Sequence, residues 1–126
     1  KKIELNGSEL TVNSKLRHNF KINNITLYKK EIENIDQIKT KFDTVICSHV
    51  LEHVLDINKA YFNLKKICRK KLIIVVPRER PYEHTFNGHI HFFPYKWSFI
   101  NTIRPKNKFM IKDLQRDFLY IEKIKN

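Results

Sequence analysis

Residues 41–54 read KFDTVICSHVLEHV. Phe42, Val45, Ile46 and Cys47 fall within six residues, a nearly continuous apolar run. Such a run suits a strand buried on both faces rather than one alternating between core and water. Polar residues follow at once, and among them stands His49-x-x-Glu52-His53, the spacing of one class of zinc peptidase. That chemistry needs both histidines on one face of a helix of several turns, together with a distal acidic ligand. Here the motif abuts the end of a strand, and Asp56, a helix cap, leaves room for at most two turns. The segment therefore reads as the rim of a strand-end site, and no metal is expected.

Working outward toward the C-terminus, Asp56 caps a helix with Ile57, Ala60, Leu64, Ile67 and Cys68 on one stripe. Lys59, Asn63, Lys66 and Lys70 take the other face. LIIVVP, residues 72–77, is the strongest strand in the chain and is stopped by Pro77. Residues 78–93, RERPYEHTFNGHIHFF, read as a long loop with two arginines, three histidines and one of the two glycines. Long irregular loops inside compact domains usually carry function. Pro94 opens a helix through Trp97, Ile100 and Ile103 that ends before Pro105. NKFMIKDL and RDFLYIEKI then alternate as an antiparallel pair of strands.

Toward the N-terminus, KKIEL closes a strand, and Asn6 with Glu9 forms a capping box that starts a helix through Leu10, Leu16 and Phe20. NITLYKK, residues 24–30, is a second strand, and Asp36 to Lys41 form a short turn or helix. Strands and helices alternate, so the 126 residues form a single α/β domain with helices on both faces of the sheet. In such sheets ligands bind beyond the carboxyl ends of the strands. The residues trailing the two best strands, Ser48 to Asp56 and Arg78 to His91, should share one rim.

Composition agrees with a packed globule: 41% apolar and 12% aromatic residues exclude a disordered chain. No apolar run approaches the ~20 residues of a membrane span, so no membrane partner is expected. Cys47 and Cys68 sit in apolar stretches and read as buried free thiols of a reducing cytoplasm. The net charge of +12 favours anionic partners, but the lysines are scattered rather than banded, which disfavours nucleic acid. Phe93, Trp97 and Phe99 read as core.

KFDTVICSHVLEHVLDINKAYFNLKKICRKKLIIVVP, residues 41–77, resembles the middle of the class I S-adenosylmethionine-dependent methyltransferases of the type 11-like group. In that group a fourth strand ends in a similar LEH segment and a fifth ends in proline. IELNGSELTVNSK is similar to the family's second strand and helix, GHIHFF to its histidine-to-aromatic segment, and the last two strands to its terminal hairpin. The resemblance implies a Rossmann-like, mostly parallel sheet with an antiparallel C-terminal hairpin. It also implies that this chain starts at the second strand, lacking the first strand and its glycine-rich loop.

By the same resemblance S-adenosyl-L-methionine is the cofactor. Glu4 would take the ribose hydroxyls, Glu31 the adenine amino group with the backbone of Ile32 against the ring, and Cys47, Ser48 and His49 the methionine portion. A carboxylate suits a diol because it accepts two hydrogen bonds at once. Methyl transfer needs a positioned nucleophile and, where required, a base. His89, His91 and His53 are the candidate bases; His89 and His91 alternate, so only one can serve. Arg78 and Arg80, with Tyr82, would grip a small-molecule or anionic acceptor. The alternative is a non-catalytic methyltransferase-like module, a partner subunit or a basic nucleic-acid platform.

Overall fold

The computed structural model describes residues 5–8, 25–28, 31–81 and 88–125, the first two segments as backbone only. Strands β1 (Leu5–Ser8) and β2 (Ile25–Tyr28) pair in parallel. A short 3-10 helix, Ile32–Gln37, leads to β3 (Phe42–Ser48), and a single 3-10 turn, Leu51–His53, follows. Then come α1 (Ile57–Ile67), β4 (Cys68–Pro77), α2 (Lys96–Ile103), β5 (Phe109–Asp113) and β6 (Asp117–Lys123).

The four-stranded sheet runs β3-β4-β6-β5. β3 and β4 are parallel, with Val45 opposite Leu72 and Ser48 opposite Val75. β6 is antiparallel to both β4 and β5, so the expected C-terminal hairpin closes the sheet. The β1–β2 pair forms its own ladder and shares none with β3 among the described residues.

α1 forms because an apolar stripe meets a good cap. The Asp56 carboxylate accepts a hydrogen bond from the Lys59 amide at 2.9 Å, an arrangement worth about 1 kcal/mol. Ile57, Ala60, Leu64 and Ile67 are buried as expected, and Tyr61 joins them. Each large aliphatic side chain taken from water contributes on the order of 1.5–3 kcal/mol. The opposing sheet surface is Val45, Cys47, Leu72, Ile74, Val76, Phe118 and Tyr120.

One buried ion pair ties α1 to β6. Glu122, fully buried, accepts hydrogen bonds from Tyr61 Oη (2.5 Å), Tyr120 Oη (3.0 Å) and Lys65 Nζ (2.7 Å). α2 packs on the same face, where the Phe99 ring meets Tyr120 edge-on at 5.5 Å.

Several expectations need correction. Asn6 to Ser8 belong to β1, not to a helix start; pairing with β2 overrides the local capping signal. Leu10, Leu16 and Phe20 lie outside the described residues. Cys68 and Lys70 lie in β4, which begins four residues earlier than the apolar run suggests because Cys68 pairs with Phe42.

Asn63 is buried rather than on the wet face, since its side chain donates to the Glu33 carbonyl at 2.7 Å. β3 is not covered on both faces: Val45 and Cys47 are buried, while Ile46 is 67% exposed. Both α-helices among the described residues lie on the single face that buries Tyr120. Phe93 and Phe99 are core, but Trp97 is exposed and stacks on Tyr95.

Candidate functional site

The site begins where β3 stops. The His49 amide donates to the Val75 carbonyl at 3.0 Å, extending the parallel ladder by one bond. His49 then adopts φ +52, a left-handed conformation that turns the chain away from the sheet. β4 ends at Pro77, and Arg78 makes an isolated parallel bridge to Phe93. The segments after both strands therefore leave from the same sheet edge, as expected.

Past His49 the chain makes the Leu51–His53 turn. One turn cannot present two histidines on a helical face, so the peptidase geometry is absent here. Leu51 is fully buried and anchors the turn in the core. Glu52 is equally buried, and neither of its carboxylate oxygens has a hydrogen-bond partner. Its Oε1 lies 3.5 Å from His49 Nδ1 and 3.9 Å from His53 Nε2. Those separations are close approaches of charge-bearing groups rather than hydrogen bonds.

The histidine segment folds back onto this turn. The amides of Ile90 and His91 donate to the Glu52 carbonyl at 2.7 and 3.0 Å. Gly88 takes φ +71, which glycine tolerates without a Cβ clash, and its carbonyl accepts from His53 Nδ1 at 3.0 Å. His89 Nδ1 hydrogen-bonds to the Glu79 carboxylate. The rings of His53 and His89 meet edge-to-face, 4.7 Å between centroids. His91 turns the other way, Nε2 donating to the Val54 carbonyl at 2.9 Å. The alternation read from the sequence thus gives His89 and His91 different neighbours.

The remaining candidates scatter more. Cys47 points into the core, while Ser48 and His49 are exposed at the strand end. Burial, with the nearby charge of Glu52 adding to it, pushes the Cys47 thiol up to about 12. Glu31 is exposed and accepts from the Asn34 side chain at 3.3 Å. Ile32 packs against the core. Glu4 and Tyr82 lie outside the described residues. Arg78 is engaged by Asp113 at 3.0 Å and Arg80 reaches the Tyr95 hydroxyl at 3.5 Å, so the two arginines take different partners.

Sequence reasoning missed three acidic groups: Glu52 as a buried carboxylate, Glu79 as the partner of His89, and Asp117, whose Oδ1 lies 3.6 Å from His49 Nε2. Only Glu79 left a signal, as a lone acid between two arginines just beyond a strong strand. Among the described residues no helix is long and apolar enough to cross a membrane.

A parallel β3–β4 pair with a loaded carboxyl edge, closed by an antiparallel hairpin, defines a Rossmann-like methyltransferase fold. Residues 3–121 match the methyltransferase domain family, and the chain belongs to it. Solved structures agree on the fold. The chain superposes on the N-terminal domain of EvdMO1, solved with S-adenosylhomocysteine, with TM-score 0.71 at 10% identity, covering 97% of this chain and 65% of that one.

Magnesium protoporphyrin IX methyltransferase from Synechocystis PCC 6803, solved with bound S-adenosylmethionine, gives TM-score 0.64 at 17% identity over 97% of this chain and 60% of that one. The PH0226 protein of Pyrococcus horikoshii OT3 gives 0.72 at 13% identity over 97% and 72%. The chain thus spans less than two thirds of the first of these proteins and of the second. No curated protein matches it in sequence.

Proposed function

We propose that this chain serves S-adenosylmethionine-dependent methyl transfer to a small or anionic acceptor. The observation that carries the reading is the parallel register of β3 and β4, which brings Ser48, His49 and Arg78 out on one sheet edge. Family membership and cofactor-bound structural neighbours support it. The exposed ends of Ser48 and His49 fit a polar ligand lying across that edge. In this reading Glu4 holds the ribose hydroxyls and Glu31 the adenine amino group beside the Ile32 backbone.

The cofactor supplies a methyl group already activated on a sulfonium centre. The protein then has to orient an acceptor lone pair in line with it and receive the acceptor's proton. In this reading His89, held by Glu79, or His53, held by the Gly88 carbonyl, receives that proton, and His91, held by the Val54 carbonyl, faces other neighbours. The two buried free thiols suit a reducing compartment.

Calorimetry with S-adenosylhomocysteine is the test. Saturable binding that weakens when His49 is replaced supports the reading. No saturable binding overturns it.

A further inference from the structure

Glu52, His53 and His89 stand together in a way that methyl transfer alone does not explain. One ligand atom from each lies within 4.8 Å of the other two. Glu52 is fully buried, and both of its oxygens lack a hydrogen-bond donor. A buried carboxylate in that state is destabilising unless a positive charge faces it.

The neighbouring rings are set to supply lone pairs rather than protons. His53 Nδ1 donates to the Gly88 carbonyl, so the neutral ring carries its lone pair on Nε2, the atom 3.9 Å from Glu52 Oε1. His89 Nδ1 is hydrogen-bonded to the Glu79 carboxylate, which places that ring's lone pair on Nε2 as well. A carboxylate behind a histidine is the usual support of a metal-ligating imidazole, because it fixes the tautomer and raises basicity.

From this geometry we propose that Glu52, His53 and His89 bind a divalent transition-metal ion of the zinc class. One carboxylate and two imidazoles form a donor set that such ions favour over magnesium or calcium. Zinc bonds of about 2.0–2.1 Å bring ligand atoms to roughly 3.3 Å from one another. Ligand atoms spread over 4.8 Å close to that spacing by small rotations of the two imidazoles. His53, 43% exposed, has room to make that adjustment.

Three protein ligands leave a fourth tetrahedral position, on the rim shared with Ser48 and His49. With the ion in place both ring nitrogens of His53 and of His89 are engaged, so a water held at that position, rather than either imidazole, would take the acceptor's proton. The His-x-x-Glu-His segment then contributes two ligands from one turn, and the loop after β4 contributes the third. Glu79 acts on the ion only through His89, as a positioning residue.

The test is direct metal binding to metal-stripped protein, scored without reference to methyl transfer. Cobalt(II) is titrated while visible absorption is followed, and zinc(II) is titrated by calorimetry. One ion per chain is expected, with the intense d–d bands of four-coordinate cobalt. Glu52→Gln and His89→Ala should each weaken affinity at least 100-fold, and Glu79→Gln by about 10- to 100-fold. Asp43→Asn, a carboxylate paired with Lys70 away from the cluster, should leave affinity unchanged.

Circular dichroism establishes that each variant folds, and Glu79→Gln carries the test if the other two do not. Absence of saturable binding overturns the proposal. Binding that survives both Glu52→Gln and His89→Ala overturns it as well.

Discussion

The His49 amide and the Val75 carbonyl are joined at 3.0 Å, one residue beyond the last paired position of β3. That bond aligns the ends of the two parallel strands and holds His49 at φ +52. A non-glycine residue there stores roughly 1–2 kcal/mol of steric strain. The turn sets the His49 imidazole between Glu52 Oε1, 3.5 Å from Nδ1, and Asp117 Oδ1, 3.6 Å from Nε2.

His49→Gly therefore separates stability from binding. The glycine relieves the backbone, so the melting temperature should hold or rise slightly. Affinity for S-adenosylhomocysteine should fall several-fold as the imidazole is lost. A fall in both quantities would instead mark His49 as structural.

His89 and His91 make a second contrast. His89 stands with Glu79 and His53 at the rim, whereas His91 Nε2 is tied to the Val54 backbone. His89→Ala should lower kcat at least 100-fold, with KM changing much less. His91→Ala should cost about 1 kcal/mol of stability and leave kcat within a few-fold. Steady-state kinetics beside thermal melts check both.

The contrast shows where the sequence was legible. β4, α1 and the β5–β6 hairpin follow from apolar runs and periodicity, because one pattern there serves both propensity and packing. The shared rim follows too, since parallel strands fix which residues exit together. Glu52 could not be read this way. Its burial depends on a segment about forty positions later, whose Ile90 and His91 amides clasp the Glu52 carbonyl. The extent of β1 is misjudged for a related reason: KKIEL reads as the close of a strand, whereas the strand runs Leu5–Ser8. Asn6 and Glu9 spell a local cap, but pairing with a strand some twenty residues on decides the backbone.

Lys65 and Glu122 carry a prediction about folding. Glu122 is fully buried and Lys65 is its only cationic partner at hydrogen-bond distance among the described residues. Lys65→Met leaves the carboxylate with two tyrosine hydroxyls and no positive charge. About 3 kcal/mol of stability should be lost. Adding Glu122→Gln should recover much of that, because the uncompensated charge goes with it. Urea denaturation of the single and double variants measures the coupling.

Alkaline pH should unfold the protein through groups that the core keeps neutral. Burial raises Cys47, Cys68, Tyr61 and Tyr120 above their ordinary values, and the Glu122 charge holds both tyrosines up further. A raised acid binds its proton more tightly in the folded chain than in the unfolded one. The stability it contributes is complete below the unfolded value and is lost as pH climbs past it.

The loss should begin near pH 9 with the thiols and steepen near pH 10 with the tyrosines. Cys47 alone, raised from 9.0 to about 12, accounts for about 4 kcal/mol across that span. In an alkaline titration followed by tyrosinate absorbance and far-ultraviolet circular dichroism, two of the five tyrosines should ionise only with the loss of circular dichroism. Ionisation of all five before the circular dichroism changes would show that Tyr61 and Tyr120 are not shielded as described.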